Sequence, residues 1–164
     1  VEEFVAPNRI VITVNGIRSY DLETFLLEAE KCSYIKTAYR EIFPDDSAVR
    51  VVLELQSNTG FEVTEYEEPP SLELRLFSQQ TAEQEVWFIR SRKMDMSEEL
   101  ALMSELLPDS KGVIKGTQDG NYIFCIGEFE TKEEAMQVLQ AIDENIISKY
   151  SFSVDHCMSS ERPE

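Results

Sequence analysis

Read for where apolar residues recur, the chain opens on RIVITV (9–14), a run suited to a strand. DLETFLLEAEKC (21–32) then sets Leu22, Phe25, Leu26 and Ala29 at i, i+3, i+4 and i+7, the stripe of a helix with one covered face. SYIKTAYREI (33–42) and AVRVVLEL (48–55) follow as a hairpin across the turn FPDDS. Val49, Val51, Leu53 and Leu55 alternate there with Arg50, Val52, Glu54 and Gln56, which predicts a single buried face. In SLELRLF (71–77), Leu72, Leu74 and Leu76 point one way and Glu73 and Arg75 the other. A second helix in the intervening SNTGFEVTEYEEPP is expected to be short or absent.

The second half gives a clearer version of the same order. VWFIR (86–90) reads as a strand, and Asp95 with Glu98 fits a capping box for a helix carrying Leu100, Met103 and Leu107, ended by Pro108. KGVIKGT and NYIFCIG form a hairpin about Asp119-Gly120, a strong turn pair. Thr131 with Glu134 is a second capping box, opening a helix with Ala135, Val138, Leu139, Ile142 and Ile146 on one face. YSFSV (150–154) supplies a last strand. Strand, helix, hairpin, helix, strand is the split βαβ plan of a ferredoxin-like sandwich, an α+β fold with both helices on one face of a four-stranded sheet. Two such modules in tandem are expected, spanning 1–78 and 86–154 and starting about 75 residues apart. SQQTAEQE (78–85) would be the joint and 155–164 a polar C-terminal tail; a single mixed-sheet domain is the alternative.

Charge narrows the partners. Fifteen Lys and Arg against 32 Asp and Glu leave a net charge of −17, spread over both halves. Such a surface repels phosphate backbones and anionic lipid, so neither nucleic acid nor membrane insertion is expected. A solvated surface accounts for the charge, and a charge-matched basic partner is the alternative reading. No apolar run nears the length of a membrane span, and VEEFVAP at the start carries neither Met nor a signal pattern, which leaves room for a removed leader. Cys32, Cys125 and Cys157 are odd in number and lack C-x-x-C spacing, arguing against a disulfide framework or a zinc site.

One stretch carries a family likeness. NYIFCIGEFETKEEAMQVLQAI (121–142) resembles the second half of a SPOR (sporulation-related repeat) domain. Tyr122, Gly127, Phe129, Glu134 and Ala135 hold the places of its aromatic-led strand, its Gly-x-Phe turn and its acidic, Ala-bearing helix start. The resemblance extends over 86–154 and implies a non-catalytic bacterial envelope protein whose open sheet face binds peptidoglycan glycan strands. The first strand departs from the family, reading VWFIRSRKM where a Gly and an aromatic are usual. Residues 9–77 are more weakly similar to small α+β modules found beside bacterial flagellar and secretion components, and no residue is carried over from them.

Strand alternation groups Val86 and Phe88 with Tyr122, Phe124 and Ile126 in the core, leaving Trp87, Ile89, Ile123 and Cys125 on the open face. A one-residue change of phase would exchange the sets. That apolar patch could be covered by the other half of the chain, dock a protein or a second copy, or stack a sugar on Trp87. Arg90 and Arg92, with Lys93, would form a basic rim. Little points to catalysis. The single histidine, His156, lies between Asp155 and Cys157 after the last strand, and neither glycine-rich phosphate loops nor dedicated cation loops occur. The expected function is non-enzymatic recognition or scaffolding in the bacterial cell envelope, without cofactor or metal, through peptidoglycan glycan strands or an envelope protein. A purely structural component of an envelope machine and a cytoplasmic ACT-like effector-binding domain are the alternatives.

Overall fold

The computed structural model describes residues 1–16, 21–42, 47–80, 82–107 and 112–164; the FPDDS turn and Pro108 fall largely outside them. Its fold is α+β, with antiparallel sheets. The first half contributes β1 (Glu2–Phe4), β2 (Arg9–Asn15), α1 (Leu22–Ala29), β3 (Ile35–Glu41), β4 (Ala48–Leu55), β5 (Thr59–Glu67) and β6 (Pro70–Ser78). The second half contributes β7 (Glu85–Arg90), α2 (Glu98–Leu106), β8 (Gly112–Gly116), β9 (Tyr122–Phe129), α3 (Lys132–Ala141), α4 (Glu144–Tyr150) and β10 (Ser153–Met158). Two four-stranded sheets run in the orders β1-β2-β4-β3 and β10-β7-β9-β8, and β5 pairs with β6 alone.

The halves diverge after their first hairpin. Where the second half sends a helix back across its sheet, residues 59–67 form β5 instead. Thr59, Phe61, Val63, Thr64 and Tyr66 are β-branched or aromatic and alternate with glutamates, a composition suited to a pleated ribbon rather than a helix. Register sets Phe61 against Leu76 and Val63 against Leu74, and this face of the ribbon joins the cluster of Ile10, Ile12, Val51 and Leu53. A ribbon thus stands in for the second helix, and β1 takes the outer place beside β2.

Local signals in the second half hold with adjustments. Ser97, not Asp95, caps α2, its Oγ accepting from the Leu100 amide at 3.4 Å. Leu100 and Met103 are fully buried, as their spacing predicts. Thr131 caps α3 and accepts from the Glu134 amide, but the Glu134 carboxylate reaches the Glu130 amide rather than closing the box. The expected single helix to Ile146 breaks at Ile142, whose backbone is extended, and Asp143 caps a new helix by accepting from Asn145. Val138, placed on the apolar face by spacing, is partly exposed. The last strand runs to Met158, so His156 and Cys157 belong to β10 rather than to a tail.

Gly127 has φ +72°, and a Cβ there would fall 2.3 Å from the Phe129 ring. Across it the register steps from Ile89↔Ile126 to Trp87↔Phe129, an extra residue on β9. The bulge aims Phe129 back into the helix-side core. Gly127→Ala is expected to destabilise the protein by about 2 kcal/mol, from left-handed strain plus the collision; a denaturant midpoint equal to the parent's would contradict this.

The helix-free faces of the two sheets pack together. In the first half this face carries Val11 and Val52, with Arg9 opposite Glu54 in the β2–β4 register. In the second it carries Phe88, Val113, Ile123 and Cys125, joined by Phe4 from β1. Arg9 donates from Nη1 to the Ile114 carbonyl, Lys115 Nζ to the Val5 carbonyl at 2.6 Å, and the Tyr39 and Tyr122 rings meet edge-on at 6.4 Å. The C-terminal residues lace the halves together, with Arg162 donating from Nε to Glu54 at 2.8 Å and Ser159 accepting from the Ala6 amide. Both faces of β4 are therefore buried, correcting the single buried face that alternation predicts. The order of layers is α1 with the β5–β6 ribbon, first sheet, second sheet, then α2 and α3.

Candidate interaction site

The six residues proposed from sequence scatter into three environments. Ile123 and Cys125 lie on the helix-free face as alternation predicts, but that face is closed by the first half and both are 0% exposed. Ile89 is also 0% exposed, on the opposite face, because β7 has the other phase: it pairs with Ile126 and packs with Phe124 and Leu100. Phe88 takes its place between the sheets. The four residues therefore do not form the open apolar patch expected on the second half: the first half covers Ile123 and Cys125, and the second half's own helix layer covers Ile89.

Trp87 is half-buried at the edge of the helix layer. Its indole stacks on the His156 imidazole, centroids 4.5 Å apart and planes at 19°, and donates from Nε1 to Glu85 at 3.1 Å. One face of the ring is therefore taken. Arg90 pairs with Asp155 at 2.6 Å, Arg92 lies 3.7 Å from Glu99, and Lys93 pairs with Asp119 at 2.6 Å. The Lys93 ammonium holds the Asp119 carboxyl well below the usual carboxylate range. Each member of the predicted basic rim has a carboxylate beside it, so no free cationic patch forms there. Among the described residues, no group of three His, Cys, Asp or Glu side chains could hold a metal ion, and no helix is long and apolar enough to cross a membrane. Burial pushes the Cys125 thiol up to about 11 and the Cys157 thiol up to about 12, the reverse of what a nucleophilic cysteine needs.

An apolar cleft open to solvent lies in the first half. Between α1 and β6 runs a cleft of about 750 Å³, floored by Ile12, Val14, Val49 and Val51 of the first sheet. Leu22, Phe25 and Ala29 form one wall, Leu72, Leu74 and Leu76 the other, and Cys32 lines it beyond the end of α1. No residue of α1 is fully buried, and Phe25 is 46% and Leu72 39% exposed. An eight-residue helix has little stability of its own and depends on covering its apolar stripe. Here that stripe is covered only in part.

Asp21 lines this cleft, and the two segments that wall it are acidic. Residues 21–31 carry Asp21, Glu23, Glu28 and Glu30 against Lys31, which is engaged by Glu28. The ribbon, 59–78, carries five glutamates against Arg75, and its register puts Glu65 opposite Leu72 at the cleft's mouth. Asp21 also accepts from the Thr24 amide, which keeps its carboxyl ionised below the ordinary range. An apolar trough with anionic banks suits an apolar surface flanked by cations.

Sequence reasoning identified every wall residue as apolar and oriented, and missed the site. The signal was the absent second helix. A four-stranded sheet covered by one short helix and a ribbon leaves part of its face uncovered, and 56–71 is where a covering element should have been. Compared with family models, curated proteins and solved structures, the chain matches none.

Proposed function

We propose that this chain is a non-enzymatic binding and scaffold protein that takes up a segment of another protein in the cleft between α1 and β6. The observation that carries the reading is the apolar stripe of α1, poised over a sheet face it does not fill. A partner seated there would bury what remains exposed of Phe25 and Leu72, 46% and 39%, each contributing about 1 kcal/mol.

The strand order β10-β7-β9-β8, with α2 and α3 on one face and the Gly127–Phe129 turn, supports a SPOR-like, ferredoxin-like reading of the second half. The resemblance over 120–142 is also what supports a setting in the bacterial envelope. Glycan binding by the helix-free face is disfavoured, since Ile123 and Cys125 lie between two sheets and Trp87 already stacks on His156. The protein-interaction reading is the stronger for it. In that reading the second half is a structural platform and the first half carries recognition.

A photo-crosslinking residue at position 25, in cells that make this chain, should give discrete adducts with another protein. The same residue at Leu102, 45% exposed on α2, should give few. Equal labelling from both positions, or none from position 25, would contradict the proposal.

A further inference from the structure

From the cleft's shape and charge we infer what occupies it: an amphipathic α-helix of another protein, with Lys and Arg flanking its apolar stripe. This rests on the reading that the cleft is the interaction site and adds the chemistry of the guest.

Three observations select a helix over other occupants. First, the chain shows in its own second half what completes such a sheet face: α2 and α3 lie side by side on the second sheet, burying Leu100, Met103 and Ala135. The first sheet has α1 alone, and the ribbon leaves the cleft between them. A helix presents three or four apolar side chains per two turns, a stripe matched to a trough floored by Ile12, Val14, Val49 and Val51. Second, the floor of the cleft is a sheet face, where a guest resting on Ile12, Val14, Val49 and Val51 meets side chains and not backbone. A helix brings its backbone hydrogen bonds internally, whereas an extended guest could pair only with the outer edge of β6, leaving its other edge unpaired. Third, both banks carry anions: Asp21 lines the cleft at the start of α1, and Glu65 and Glu67 stand opposite Leu72 and Pro70 on the ribbon. Cations set beside an apolar stripe would fall against them, speeding encounter and fixing orientation.

The same charges argue against a second copy. Two clefts meeting would bring like-charged banks together on molecules of net charge −17 each.

The test uses the full chain and labelled peptides of about 16 residues. One is a Leu/Lys helix with leucines at i, i+3, i+4 and i+7. A second replaces Lys by Glu, a third alternates Leu and Lys at strand period, and palmitate is added separately. The Leu/Lys helix should bind saturably and slow thiol labelling of Cys32, which lines the cleft. Affinity should fall about tenfold or more in Phe25→Glu and in Leu72→Glu, and should also weaken as salt rises towards ~0.5 M. Both replaced side chains are partly exposed, so unchanged melting midpoints verify the fold. Both variants add negative charge, so a loss cannot come from weaker general attraction to a cationic peptide.

Equal binding of the Glu peptide or the alternating peptide, or displacement by palmitate alone, overturns the choice of a basic helix while leaving the cleft as the interaction site. Failure of the Leu/Lys helix to bind overturns it too. Binding that neither variant weakens and that leaves Cys32 unprotected removes the cleft itself, and the proposed function with it.

Discussion

Replacing Glu54 with alanine is expected to destabilise the protein by about 3–5 kcal/mol, the range for leaving a buried partner charge uncompensated. Glu54 is 0% exposed on the helix-free face of β4. Arg162 donates to it from Nε at 2.8 Å and lies 2.7 Å away through Nη2, and Arg9, equally buried, is its neighbour across the β2–β4 pair. Removing the carboxylate takes a negative charge from beside Arg9 between the sheets, leaves the Tyr39 hydroxyl without its acceptor, and breaks the tie from Arg162 to the first half. Arg162→Ala should cost less, about 1–2 kcal/mol, because Arg162 is 27% exposed and water takes over part of its role. Equilibrium denaturation of both variants checks the order. Equal, small losses would mean that the inter-sheet charges are solvated and the sheets are not closely joined.

Phe88→Ala is expected to cost about 3–5 kcal/mol, as removal of a buried aromatic usually does. Phe88 is 0% exposed, packs with Val113, Ile123 and Cys125, and lies 5.6 Å from the buried Lys115 ammonium. The cavity would open between the sheets, weakening both halves together. Trp87→Ala, one residue away, should cost distinctly less, because that ring sits at the edge of the helix layer with His156 on one face. The pair tests the phase of β7. If Trp87 proved the costlier position, the strand would be turned as simple alternation suggests and the inter-sheet face would be misassigned.

That phase also marks where the sequence stops being readable. Alternation within β9 placed Ile123 and Cys125 together, and they are. It could not say which residues of β7 share their face, because neither strand records the pairing between them: Arg90 meets Cys125 and Ile89 meets Ile126, which puts Phe88 on the Cys125 face, while the extra residue at Gly127 turns only Phe129. A Gly with positive φ in a strand is a known place for a bulge, yet the sequence does not say which way it turns its neighbours. Secondary structure was more legible where capping chemistry and apolar spacing agreed, as at Thr131 and Ala135. At α2, by contrast, the capping-box spacing pointed to Asp95, and Ser97 takes the role.

Tertiary placement was the least visible. Val52 and Glu54 occupy polar-phase positions of β4 and look like solvent-facing residues in a half-exposed strand. They are buried because a second sheet lies over them, and no local pattern announces a partner about 75 residues away. The candidate site was half legible for the same reason. Leu22, Phe25, Leu72 and Leu74 were read as a helix stripe and a strand face, both correctly oriented. Only the topology reveals that β5 replaces the covering helix, so that these residues bound a cleft instead of a closed core.

The closed inter-sheet face is the claim from which the rest follows, since it removes the second half's sheet as a binding surface and leaves the cleft. Thiol labelling of the native chain, read residue by residue by mass spectrometry, tests it directly. Cys32 should react first, Cys157 more slowly, and Cys125 only at the rate of global unfolding, being fully buried with its thiol pushed up to about 11. Prompt labelling of Cys125 under native conditions would show that face to be open, and the account built on its closure would be wrong.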